Sequence, residues 1–389
     1  MTAWIVDAVR TPRGRGREGG ELSGVPPTRL LADLLRALRE RTGHGAVDDV
    51  IVGCAMPTGE QGTDVARMAA LLAGLEGGGA TVSRFCASGL DAIATAAARV
   101  SSPMESLIVA GGVESLSRVP MFADRGPWCF DPEVAEATGF VHMAVAADLL
   151  AAEAGIERAA LDALAVRSHA RAAAARDGGA FARSLVPAAG LAHDALIRDG
   201  LTLDEVSARP GAFGDLLDAD ARRRIAARYP GVEVAPVHHA RSAPGLADGA
   251  SALLVADDAA LERLGRAPRG LVRAWAHAAV EPTLMLHGNV EATRKALARA
   301  GLEAGDVDVY EVNESFAVVP EHFSRALEVD HARLNVLGGA IAMGHPLGAT
   351  GGVLVATALD ALEARGERRA VVSICGGAGV ATALVIERA

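Results

Sequence analysis

A chain of 389 residues with a formal net charge of −10 is excluded as a general polyanion binder, because nucleic-acid affinity rests on Lys and Arg neutralising phosphates. Half the residues are apolar and only 3% are aromatic, so a large globular core must be packed mainly from Ala, Val, Leu and Ile. Asp7 comes too early for a secretory segment and no apolar run approaches the roughly 18 residues of a membrane span, which predicts a cytoplasmic protein with no membrane partner. The four cysteines (Cys54, Cys86, Cys129, Cys375) lie far apart without a CxxC pair, which argues against a zinc knuckle or disulfide framework and makes each a packing residue by default.

In chain order, the basic stretch "RTPRGRGRE" (Arg10 to Glu18) is expected on a solvated loop. The run "RLLADLLRALRERTG" predicts a helix and "AVDDVIVGC" an apolar strand ending at Cys54; a connecting helix then leads to the turn of "VSRFCASGL" that carries Cys86. A small-residue helix, "GLDAIATAAARV", and a strand closed by glycines, "SLIVAGGVES", complete the unit. From Ser117 to Pro236 the chain is rich in Ala, Arg and Asp, broken by Pro and Gly, and helical in "AVAADLLAAEAGI" and "LDALAVRSHARAAAA". It reads as an insertion, and its basic run "ARRRIAARYP" as a solvated helix face. "ADGASALLVADDAALERLG" then predicts a strand and helix that rejoin the first unit.

The pattern recurs. "ATRKALARAGL" is a helix, "DVDVYEVN" a strand ending at Asn313, "NVLGGAIAMGHPLGATGG" a glycine-crowded turn bearing His345, "TGGVLVATALDALEA" a helix and "AVVSICGGAG" a strand. Cys54 and Asn313, Cys86 and His345, and Gly89 and Gly348 are all separated by 259 residues (345 − 86 for the second pair), the signature of a repeat. The expected fold is α/β: two duplicated layered halves with mixed sheets, α-β-α-β-α, related by a pseudo-twofold axis and carrying an inserted loop domain. The expected boundaries are 1–116 completed by 237–260 for the first half, 117–236 for the insertion and 261–389 for the second half. Such an axis brings Cys86 and His345 together, each with a helix starting just after it, whose free N–H groups and dipole would lower a thiol's pKa. Asn313, Glu314 and Cys375 end apolar strands, where α/β proteins commonly build sites.

Together "VSRFCASGL", "VAGGVESLSRVPM", "LADGASALLV", "EVNESFA", "GGAIAMGHPLGATG" and "CGGAGVATALVIER", preceded by "DAVRTPRGRG", resemble the thiolases, the acyl-CoA C-acyltransferases, almost end to end. The resemblance implies that Cys86 carries the acyl group, that His345 takes its proton, and that Cys375 protonates the departing enolate or removes the α-proton of acetyl-CoA. It also implies one oxyanion site at His345 with a water held by Asn313, and another at the backbone N–H groups of Cys86 and Gly377. Coenzyme A and acyl-CoA are then the substrates, with no metal and no permanently bound cofactor. The inserted domain would cover coenzyme A, with His142 and Met143 at the tunnel and Arg198 near the nucleotide.

Departures from the family pattern sharpen the expectations. "RSAPGLADG" places Ser242 and Pro244 where pantetheine contacts belong, and "LMLHGNV" places His287 and Asn289 at the edge of the acyl pocket, which would admit a polar or branched acyl group. The stretch from Pro120 to His142 is shorter than the assembly loop of tetrameric relatives, so a homodimer is expected, with a tetramer as the alternative. Two competing readings are a decarboxylating ketoacyl-synthase-type enzyme, which lacks the terminal Cys-Gly-Gly motif in this role, and a non-catalytic acyl-CoA-binding protein, against which the intact Cys86, His345 and Cys375 speak.

Overall fold

The computed structural model describes residues 2–389. Its strands are β1 (Ala3–Arg10), β2 (Gly14–Arg15), β3 (Asp49–Gly53), β4 (Ala80–Val82), β5 (Leu107–Ser115), β6 (Ala247–Ala256), β7 (Gly270–Ala279), β8 (Val309–Val312), β9 (Arg369–Cys375) and β10 (Val380–Arg388). They run in the order β4-β3-β5-β6-β1-β7-β10-β9-β8, with β2 beside β6. Both halves are mixed: β3 pairs in parallel with β4 and β5, and β8 with β9, while β6 and β10 join antiparallel. The two half-sheets are continuous, because Ala3–Ile5 of β1 pair antiparallel with Gly270–Val272 of β7. The strand that follows the insertion, β6, lies between β5 and β1.

Helices fill three layers. Pro27–Thr42 starts on a proline at its first turn, buries Leu30, Leu31, Leu34, Leu35 and Leu38 along one face, and stops at Gly43 in the left-handed conformation (φ 69°). Each such leucine contributes about 2 kcal/mol of burial. With Val65–Ala73 it covers the outer face of the first half. Gly288–Ala300 and Val318–Leu327 cover the outer face of the second, joined there by the inserted helices Met143–Glu153 and Arg158–Asp177. Between the half-sheets lie Ser88–Val100 and Leu347–Arg365. The latter is long and apolar enough to cross a membrane, but 89% of that stretch is buried inside the protein, as a helix packed on all sides requires.

These central helices cross closely at the repeat-equivalent glycines. A Cβ on Gly89 would lie 2.3 Å from the Gly348 carbonyl oxygen, and one on Gly112 only 2.1 Å from the same atom. This explains a difference from the sequence reading, in which glycines close the strand of "SLIVAGGVES". Strand β5 runs through Gly111 and Gly112 to Ser115. The missing side chains there serve close approach to Ser251 and Gly348 rather than a turn.

Candidate active site

The chain reaches Cys86 through a strained turn. Strand β4 ends at Val82, the helix begins at Ser88, and between them Phe85 adopts φ +50°, a region that non-glycine residues rarely occupy. Ser88 holds the turn from inside: its hydroxyl donates to the Phe85 carbonyl at 2.5 Å and accepts from the Arg84 N–H at 2.8 Å. Cys86 is a free thiol, 7% exposed. Burial pushes its pKa above the ordinary thiol value, aided by the nearby Cys375 and Glu114. The lowering expected from the helix start is therefore overridden by desolvation.

Its partner turn is built on a glycine. Gly344 has φ +98°, and a Cβ there would lie 2.9 Å from the Ala247 Cβ. The following His345 donates its backbone N–H to the Gly245 carbonyl at 2.9 Å. The imidazole is fixed at both nitrogens, with Nδ1 2.8 Å from the Thr350 hydroxyl and Nε2 3.5 Å from the Asn313 amide nitrogen. Burial, and then the charge of Arg13, lower its pKa to about 3, so the ring is neutral at physiological pH. Arg13 shares the buried Asp194 with Arg10, at 3.0 and 2.9 Å, and also donates to the Gly344 carbonyl at 3.3 Å. The basic stretch Arg10 to Glu18 is thus not a simple solvated loop. Two of its arginines are buried because a carboxylate meets them there.

At the end of β9, the Cys375 sulfur lies 3.5 Å from the Ser315 hydroxyl, which in turn accepts from the Asn313 amide at 2.8 Å. Burial pushes the Cys375 thiol up to about 11. The Asn313 Oδ1 is buried without a partner, an acceptor free for a bound donor. Behind the two turns, the buried Glu114 carboxylate accepts from the N–H groups of Ala55 at 2.8 Å and Gly348 at 2.9 Å and from the Gln61 amide at 2.7 Å. A carboxylate of the first half thereby caps the positive end of the second half's central helix.

Cys86, His345 and Cys375 line one cavity of about 200 Å³, to which His142 and Met143 also contribute. Cys86 also lines a smaller cavity of about 50 Å³ bounded by Phe85, Phe122, Trp128 and Gly377. Cys129, expected to be a packing residue, lies in its wall. A third cavity, about 470 Å³, is lined by Arg15, Arg17, His169 and Arg198 and shares Ala243 and Leu246 with the first.

Two expected contact residues stand elsewhere. The Ser242 hydroxyl is fully buried and turned back on its own chain, donating to the His239 carbonyl at 3.3 Å and accepting its N–H at 3.0 Å; the cavity wall there is Ala243 and Pro244. His287 caps the start of the helix Gly288–Ala300 and stacks edge-on toward His322 at 6.4 Å, leaving Leu286 to face the cavity. Glu114, Ser315 and Thr350 were not singled out from the sequence, although the first two sit in the quoted "GGVES" and "VNES" and Thr350 five residues beyond His345.

Residues 3–259 match the thiolase N-terminal domain and residues 266–388 the thiolase C-terminal domain. This chain belongs to the thiolase family. The thiolase is 41% identical to a beta-ketoadipyl-CoA thiolase of Pseudomonas aeruginosa, over 99% of this chain and 98% of the relative. It is 37% identical to a 3-oxoadipyl-CoA/3-oxo-5,6-dehydrosuberyl-CoA thiolase of Escherichia coli K12, over 99% of both chains. It is also 37% identical to a 3-ketoacyl-CoA thiolase of Escherichia fergusonii, over 99% of this chain and 98% of the relative. The thiolase is an acyltransferase that works on acyl-CoA thioesters with coenzyme A as a substrate.

Proposed function

We propose that Cys86 is the acyl carrier in reversible acyl transfer between a 3-ketoacyl-CoA and coenzyme A, with His345, Cys375 and Asn313 serving it. The observation that carries this reading is the convergence of both thiols and the imidazole, drawn from the two halves, on one cavity. In thiolysis the Cys86 sulfur bonds to the keto carbon of the substrate while its proton passes to His345. The carbon–carbon bond next to that carbon breaks, and the electron pair stays on the departing acetyl-CoA enolate. Cys375 gives that enolate its proton. Coenzyme A then attacks the acyl–sulfur carbonyl, its proton going to Cys375 as the His345 proton returns to Cys86. Condensation is the same path reversed.

The pKa directions support this assignment of roles. Both thiols are held as thiols and the imidazole as a neutral base, so charge develops only as bonds change, where fixed donors act most strongly. His345 with a water held by the free Asn313 Oδ1 serves one of the two negative oxygens, and the N–H groups of Cys86 and Gly377 serve the other. The phosphates of coenzyme A fit the cavity of Arg15, Arg17 and Arg198, and the pantetheine arm reaches Cys86 past Ala243 and Leu246. No permanently bound cofactor or metal is required. A cytoplasmic homodimer is the proposed working form, supported by an outward-facing apolar patch of Met68, Leu71 and Leu72 on one helix and by β4 at the sheet's edge.

Intact-protein mass spectrometry after incubation with acyl-CoA donors tests the reading. An adduct on the wild type that free coenzyme A discharges, and that Cys86→Ala lacks, is the expected result. Coenzyme A binding with no adduct from any donor would favour the non-catalytic alternative.

A further inference from the structure

We propose that the acyl site of this chain takes a short, uncharged acyl group and discriminates against one that ends in a carboxylate. The inference rests on Cys86 as the acyl carrier and concerns what hangs from its sulfur. Cys86 lines two cavities, which also share Met121, Met143 and Leu347. The larger continues past Pro244 to the wall it shares with the arginine-lined cavity, the side from which coenzyme A arrives. The acyl group is left the smaller one. At about 50 Å³, room for a few water molecules at about 10–15 Å³ each, it suits a short chain.

Its chemistry is one-sided. Among the described residues no Arg, Lys or His lines it, and its one charged side chain is Asp124, exposed to solvent. The larger cavity adds only two basic groups, His142 and His345, and burial lowers the pKa of both, so that they are neutral at pH 7. Of the arginines nearby, Arg13 is paired with Asp194 and Arg84 with Asp91, while Arg125 pairs with no carboxylate among the described residues but is exposed, lies over the Phe130 ring at 5.0 Å and does not line the cavity. A carboxylate brought to this place would lose its hydration and find no counter-charge, with Asp124 opposing it. The Trp128 Nε1 is buried without an acceptor, but a single neutral N–H does not replace the hydration of a charged group.

The walls favour hydrocarbon. The whole chain has only 8 Phe, 3 Trp and 2 Tyr, yet Phe85, Phe122 and Trp128 border this one small space. Trp128 is braced by Phe85 at 5.2 Å and by Phe140 at 4.9 Å between ring centroids, so the aromatic wall is firm. Most of the similar relatives, the one at 41% identity among them, are named for a ketoadipyl substrate and one at 37% for 3-ketoacyl-CoA; both names occur at 37%, so a relative's name alone does not choose for this chain. The lining of the site does.

The test compares thiolysis of 3-ketohexanoyl-CoA and 3-ketoadipyl-CoA, which have the same chain length and differ in the terminal carboxylate. We expect kcat/KM to favour the uncharged substrate by about tenfold or more. Equal or better turnover of the ketoadipyl substrate would overturn the inference while leaving the thiolase reading intact; turnover of neither, and none of acetoacetyl-CoA, would overturn both. A second measurement places a cation in the wall. Met121→Lys is expected to raise the ketoadipyl-to-ketohexanoyl ratio by about fivefold, and an unchanged ratio in a folded, active variant would count against the proposed location of the acyl group.

Discussion

At the Cys86 turn the chain passes through a left-handed phenylalanine, Phe85 at φ +50°, whereas at the repeat-equivalent His345 turn it passes through a left-handed glycine, Gly344 at φ +98°. The helix that follows begins two residues later in both, at Ser88 and Leu347. Around this shared frame the supports differ. The imidazole is gripped by Thr350 and Asn313, while the thiol lines two cavities with its turn tied by Ser88. The duplication thus supplies position, and the unlike supports suit the proposed roles: a base must keep its orientation through several proton transfers, and a nucleophile must be reachable from both substrates.

The sharpest way to break this comparison is to remove each group in turn. Cys86→Ala is expected to reduce kcat by about 10⁴-fold or more in a steady-state thiolysis assay. His345→Ala should cost about 10² to 10⁴-fold, and a variant as active as the wild type would refute its role as base. A smaller loss, roughly tenfold to a hundredfold in kcat with little change in KM, is expected for Thr350→Val, since it alters only the aim of the ring. Gly344→Ala should lower stability by about 1–3 kcal/mol, read from chemical denaturation, because its φ is costly for alanine. Finally, the alkylation rate of Cys86 by iodoacetamide should be slow at pH 7 and rise by about tenfold per pH unit toward pH 9. The sign follows from a thiol pKa raised by burial, which keeps the thiolate fraction small at neutral pH. A plateau below pH 8 would show that the helix start governs the thiol after all.

The repeat makes most of the frame legible in the sequence. A constant offset fixed which turn matched which, and the central helices begin at that same spacing, 347 − 88 = 259. The glycines beside His345 and Cys375 mark places where backbone comes close, and both residues line one cavity with Cys86. What escaped reading depended on contacts remote in sequence. Glu114 and Gly348 meet across 234 residues, and nothing local announces that bond. The direction of the Ser242 hydroxyl is a matter of turn geometry, which a residue pattern near the substrate does not fix. The thiol's pKa went the other way for a similar reason: a helix start is written locally, but desolvation belongs to everything packed around it.

One contact reaches beyond this reaction. The Gly348 carbonyl occupies the space where a Cβ on Gly89 or Gly112 would fall, so the two halves cannot slide past one another by even a methyl group without breaking their fit. The aromatic wall beside Cys86, by contrast, hangs on the short loop and turn around Met121–Trp128, whose residues are half-exposed or exposed. With the acyl group placed as proposed, editing that loop can rewrite which acyl groups are accepted while Cys86, His345 and Cys375 stay where they are, and a laboratory library aimed at new acyl chains has the same place to begin.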